Sequence, residues 1–111
     1  MDYTIKDLPE SERPREKLED RGVDAMTDVE LLSIILRTGT SGKNVKELSS
    51  DILNSYSVCE LADRGLDDLK EFQGVSRVKA GQLKALGELS RRMEKQDREK
   101  IDSLSDVKSM T

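Results

Sequence analysis

A single glycine, Gly74, divides the stretch Leu69-Lys70-Glu71-Phe72-Gln73-Gly74-Val75-Ser76-Arg77-Val78-Lys79-Ala80-Gly81-Gln82-Leu83 into two helical halves. Before it, Leu66, Leu69 and Phe72 recur at the spacing of one helix face. Gly74 tolerates the left-handed backbone that ends a helix. Val75 is an apolar residue inside the turn, suited to pin it to a core. Ser76 is a favoured N-cap for the helix that follows. Ala80 and Gly81 are small, which lets two helices approach closely. The stretch reads as helix, tight turn, helix.

The rest of the chain carries the same punctuation. Residues 1–10 read as an extended arm. Pro14 suits the first turn of a helix that runs to about Arg21, with Gly22 just past its end. Thr27-Asp28-Val29-Glu30 is a capping box, and the apolar run Leu31 to Leu36 behind it is expected in the core. A loop over 38–42 leads to a helix with Val45, Leu48, Ile52 and Leu53 on one face. Ser57-Val58-Cys59-Glu60 offers a second capping box for a short helix ending near Gly65. The last helix is expected from about Arg77 to Lys95, with 96–104 as a linker or helix tail, 96–111 as a whole as a linker toward a further domain, and Ser105-Asp106 as the cap of a further element. Strand signals are few. The expected fold is all-α: a compact bundle of five or six short helices over 11–95. The two helix-loop-helix units, 31–56 and 66–95, are candidates for a diverged pair.

Composition narrows the function classes. The chain has 111 residues and no histidine, which removes Ser-His-Asp and Cys-His chemistry and histidine-based metal sites together. No carboxylate spacing of a calcium loop occurs. An enzyme is disfavoured, no cofactor or metal is implied, and a binding or regulatory module is expected. No apolar run is long enough to span a bilayer, and the first ten residues hold three acids and no apolar stretch of a signal peptide. Cys59 is the one cysteine and closes no intramolecular disulfide, so a reducing cytoplasm is the expected home. The net charge of −4 argues against a strong, indiscriminate nucleic-acid binder. Yet residues 74–95 hold six bases against two acids.

The Leu69–Leu83 stretch resembles the helix-hairpin-helix motif, Leu-x-x-apolar-x-Gly-apolar-Gly-x-x-x-Ala, with Ser76 in place of the second turn glycine. The resemblance implies that backbone N–H groups over Gly74, Val75 and Ser76 meet a DNA phosphate, with Arg77, Lys79 and, in support, Lys84 supplying charge. The general physics is the attraction of an anion to a helix N-terminus, and such contacts read no bases. Lys84, Arg91 and Arg77 fall at spacings that allow one helix face. Arg37 and Lys43 flank the other loop and make a second candidate phosphate site.

A wider resemblance covers about residues 4–93. Ile5-Lys6-Asp7-Leu8-Pro9 to Glu12-Arg13-Pro14-Arg15-Glu16-Lys17-Leu18 is similar to the opening of the bacterial RadC family. So are Thr27 to Leu32, Ile35-Leu36-Arg37-Thr38-Gly39-Thr40 and Gly42-Lys43. The resemblance implies the N-terminal domain of a DNA-repair-associated protein. It also implies a C-terminal JAB/MPN-type, metalloprotease-like domain with a His-x-His motif, of which this chain has no part. Ile101 to Thr111 is similar to the lead-in to that domain. The expected partner is DNA, bound weakly through its backbone. The alternative is a protein-interaction or regulatory module for the second domain or for another protein, with no membrane partner.

Other features have simpler readings. Gly39-Thr40-Ser41-Gly42-Lys43-Asn44 lacks Walker A spacing and reads as an inter-helix loop. Asp67-Asp68 suits the first turn of a helix, where acids favour the dipole. Cys59 reads as a small, half-buried apolar residue. Segment 10–21 reads as a salt-bridged helix face, in which Arg13 and Arg15 are alternative contacts for a partner domain.

Overall fold

The computed structural model describes residues 13–110. The arm expected over 1–10 lies outside the described residues. Five α-helices follow in order: α1 (Pro14–Arg21), α2 (Asp28–Leu36), α3 (Val45–Ser55), α4 (Leu66–Lys70) and α5 (Arg77–Met110). Short 3-10 turns cover Val23–Ala25 and Cys59–Asp63. An antiparallel bridge between Thr40 and Lys43 closes the α2–α3 loop. The described residues form an all-α fold without a β-strand.

Local chemistry sets the helix ends. Pro14 opens α1, and Gly22, with φ 84°, returns its N–H to the Leu18 carbonyl at 2.9 Å. Thr27 caps α2 reciprocally: its hydroxyl accepts from the Glu30 N–H at 3.2 Å, and its own N–H donates to Glu30 Oε1 at 3.0 Å. Asn44 Oδ1 accepts from the Glu47 N–H at 2.9 Å and caps α3. Ser57 and Glu60 make the second reciprocal box, which opens the 3-10 turn.

The core gathers Leu32 and Leu36 from α2, Val45, Leu48 and Ile52 from α3, Leu61, Leu69 from α4, Val75 from the α4–α5 turn, and Ala80 and Leu83 from α5. These are the faces that helical spacing predicts, with one exception. Ile35, inside the apolar run of α2, is exposed, while Glu30 and Ser33 are buried. Burial of Ser33 is tolerated because its hydroxyl donates to the Val29 carbonyl at 2.8 Å and meets Ser49 Oγ at 3.2 Å across the α2–α3 contact. Burial of Glu30 is tolerated because Lys17 Nζ donates to both its carboxylate oxygens, at 2.9 and 3.1 Å, tying α1 to α2. At the edge, Tyr56 and Phe72 meet edge to face with centroids 6.1 Å apart, and the Arg64 guanidinium lies 5.2 Å from the Tyr56 ring centre.

Two expectations about α5 differ from the structure. The helix does not end near Lys95: it runs to Met110, so 96–110 is helix and Ser105-Asp106 lies inside it. No Gly or Pro follows Gly87 to break it, and Arg92–Glu88 and Arg98–Glu94 pairs, at 2.9 and 3.0 Å, brace successive turns. Every residue from Arg91 to Ser103 is exposed, and among the described residues this half touches the rest of the fold through Arg91 on Asp63 and Glu94 on Cys59. The close approach expected of Gly81 occurs instead at Gly87. A Cβ at Gly81 meets nothing within 4 Å, whereas one at Gly87 falls 2.6 Å from the Ala62 nitrogen and 2.8 Å from the Val58 carbonyl oxygen. α5 therefore lies backbone to backbone against the Cys59–Asp63 turn.

Candidate nucleic-acid interface

A turn joins α4 to α5 at Gly74. Gly74 has φ 96°, Val75 is buried in the core, and Ser76 Oγ accepts from the Lys79 N–H at 3.3 Å as the cap of α5. The Val75 N–H is spent inside the turn, donating to the Phe72 carbonyl at 3.0 Å. A Cβ on Gly74 would sit 3.0 Å from Thr40 Cβ, so the turn packs directly on the α2–α3 loop. The two inter-helix loops are thus neighbours.

The basic residues divide into two groups. Lys79 Nζ donates to the Thr38 carbonyl at 2.6 Å and to its hydroxyl at 2.9 Å, and burial pushes its ammonium below the usual lysine value. Lys84 Nζ donates to the Ala62 carbonyl at 3.1 Å and to the Arg64 carbonyl, capping the end of the 3-10 turn. Arg91 pairs with Asp63 at 2.7 Å and holds that carboxyl below its usual range. Lys43 pairs with Asp51. The face expected to join Lys84, Arg91 and Arg77 is therefore largely turned inward onto residues 62–64. Arg77 and Arg37 are exposed, and among the described residues neither side chain has a hydrogen-bond or ion-pair partner. Arg77 and Lys70 line an open cleft of about 460 Å³ with Gly65, Leu66, Asp67 and Asp68. Asp68 is engaged locally, accepting the Gly65 N–H at 3.2 Å.

Arg37 is the one described non-glycine residue with positive φ. At φ 72°, ψ −48° it lies outside the left-handed helical region. With the Thr38 N–H donating to the Leu36 carbonyl at 2.9 Å, it forms the rarer, strained hand of γ-turn. Such a conformation costs a side-chain-bearing residue about 1–3 kcal/mol. An exposed cation at a helix C-terminus recovers about 0.3–1 kcal/mol from the dipole, which does not offset it. The sequence names Arg37 as a candidate but gives no sign of this strain. It gives no sign of the Lys79 and Lys84 acceptors either, since those are backbone carbonyls and one threonine hydroxyl distant in the chain.

Asp67 and Asp68 lie in the first turn of α4, where acids favour the dipole. Cys59 is half-buried, with its sulfur 3.4 Å from Ser90 Oγ and 3.3 Å from Glu94 Oε2. Arg13 and Arg15 pair with Glu16 and Glu19 at 3.6 and 3.9 Å. Among the described residues no group of acids and cysteine has the arrangement of a metal site, and no helix is long and apolar enough to cross a membrane.

Known proteins match most of the chain, and they carry the name UPF0758. It is 46% identical over 89 residues to a UPF0758 protein of Clostridium botulinum (strain Alaska E43 / Type E3), covering 79% of this chain and 39% of that one. It is 42% identical over 106 residues to a UPF0758 protein of Methanosarcina barkeri, covering 93% and 46%. It is 42% identical over 103 residues to a UPF0758 protein of Dechloromonas aromatica, covering 91% and 46%. The chain spans less than half the length of these curated relatives. No solved structure matches it significantly. The profile described as UPF0758 N-terminal matches residues 5–81, and the chain belongs to that family.

Proposed function

We propose that this domain binds the DNA backbone weakly and without sequence preference, as the N-terminal module of a RadC-like protein. The observation that carries the reading is the joint at Gly74: a left-handed turn, capped by Ser76, opens a long helix whose first residue, Arg77, is exposed and unpaired. Free N–H groups and the positive dipole end favour a phosphate there, and a guanidinium adds a bidentate contact. Val75 serves the core, Lys79 holds the loop after α2, and Lys84 holds the end of the Cys59–Asp63 turn. Lys79, Lys84 and Lys43, the cations expected beside Arg77 and Arg37, are held within the fold, so binding should be weak and involve few phosphates. The free thiol of Cys59 fits a reducing, cytoplasmic setting.

The test is fluorescence anisotropy with duplex, single-stranded and branched DNA at two salt concentrations, wild type beside Arg77→Glu. Salt-dependent binding that Arg77→Glu abolishes, with circular dichroism unchanged, supports the reading. No binding by the wild type at low salt sinks it.

A second reading rests on α5, where Val78, Leu89 and Met93 are more than half exposed. Apolar residues left on one helix suit a protein partner, such as the metalloprotease-like domain that the RadC resemblance implies in a longer protein. In that case Leu89→Lys and Met93→Lys would abolish association with the partner and leave DNA affinity unchanged.

A further inference from the structure

The other positive-φ positions among the described residues, Gly22, Gly42 and Gly74, are all glycine, the residue that adopts such backbone freely. The turn after α2 is the exception, and an arginine stands there. The turn itself has a structural use. It sets the Thr38 carbonyl and hydroxyl on Lys79 Nζ, and it leads into Thr40, which packs on Gly74. Glycine would make the same turn without strain, so the geometry accounts for a turn at 37 but not for its side chain. Packing does not account for it either, because the side chain is exposed. Nor does pairing: among the described residues it meets no acid, in contrast to Lys43 six positions on, which is held by Asp51.

We infer that Arg37 is kept in its strained turn for a ligand outside the domain, and that its guanidinium takes a DNA phosphate beside the seam between the two loops. This rests on the backbone-binding reading above and adds the α2–α3 loop to it. Lys43, the other cation expected there, drops out because Asp51 already neutralises it. A planar guanidinium fits a phosphate through two parallel N–H donors, so lysine at 37 would keep charge and lose that geometry.

The test compares Arg37→Gly, Arg37→Asn and Arg37→Lys with the wild type, by thermal melting and by anisotropy on a labelled duplex across a salt series. Glycine relieves the strain, and asparagine tolerates positive φ better than arginine, so both variants should fold. Arg37→Gly is expected to melt higher, by up to about 4–8 °C, because the strain it relieves exceeds the chain entropy that glycine adds to the unfolded state. It should bind DNA about tenfold more weakly, with a log-log salt slope shallower by about one. Arg37→Asn should show the same loss of binding, and Arg37→Lys should keep most of the slope with reduced affinity. If Arg37→Gly and Arg37→Asn bind with wild-type affinity and slope while Arg77→Glu does not bind, the inference is overturned and the hairpin reading stands. If the wild type binds no DNA, both are overturned.

Discussion

The Lys79 ammonium donates to both oxygens that Thr38 offers, its carbonyl at 2.6 Å and its hydroxyl at 2.9 Å, across 41 positions of sequence. This joins the first turn of α5 to the loop leaving α2. The same side chain is the natural phosphate ligand on sequence grounds, and the two roles compete for one ammonium. The structural role predicts that Lys79→Met loses about 1–2 kcal/mol of stability, the scale of a charge-assisted hydrogen bond at a partly exposed site. Urea denaturation measures it. If Lys79→Met is as stable as the wild type, the link to Thr38 contributes nothing to the fold.

Acid should loosen the α1–α2 joint. Glu30 is held at about 2, below its ordinary 4.5, first by the Thr27 backbone N–H and then by Lys17, against the opposing effect of burial. A carboxyl depressed on folding stabilises the native state fully above its ordinary value, and that stabilisation is lost as pH falls through about 2. Stability should therefore decline between roughly pH 5 and pH 2, and Glu30→Gln should flatten that decline while lowering stability at neutral pH. Urea midpoints at pH 7, 4 and 2.5 decide it: parallel declines in wild type and variant would mean that other carboxylates carry the acid sensitivity.

Two glycines on α5 should respond oppositely to alanine. Gly81 faces open space, so Gly81→Ala gains helix propensity, about 0.5–1 kcal/mol. Gly87 lies against the backbone of the Cys59–Asp63 turn, where a Cβ would sit 2.6 Å from the Ala62 nitrogen. Gly87→Ala must move that turn and should cost about 1–3 kcal/mol. It also disturbs the Lys84 contacts to the Ala62 and Arg64 carbonyls. Thermal melting of the pair gives the answer, and shifts of the same sign would contradict this packing.

What the sequence disclosed was local. Thr27 and Glu30, Ser57 and Glu60, and Gly74 with Ser76 announce helix ends because each satisfies its bonds within three residues. The apolar spacing of Val45, Leu48 and Ile52 gives the buried face of α3. Roles set by distant backbone were not legible. Lys84 looks like a solvated cation until the carbonyls of residues 62 and 64 are in place, and Gly81 and Gly87 look alike until α5 meets the 3-10 turn. The candidate interface was legible as a position and not as a membership. Gly74 to Arg77 stand at the expected joint, while Lys79, Lys84 and Lys43 are drawn into the fold.

The exposed half of α5 makes the last prediction. From Arg91 to Ser103 each residue is exposed, and the Glu88–Arg92 and Glu94–Arg98 pairs stabilise the helix by only about 0.2–0.5 kcal/mol each. An isolated helix of this length is marginal in water, whereas the half containing Ala80 and Leu83 is held by the core. Amide hydrogen exchange should divide α5 in two. Protection close to the global unfolding value is expected over 80–87, falling by orders of magnitude beyond about residue 95. Higher salt should weaken the ion pairs and reduce the outer half's protection further. If the outer half instead exchanges as slowly as the inner half, a second surface must cover it in solution. Met93 and Ile101, both more than half exposed, would be the first residues to probe for that contact.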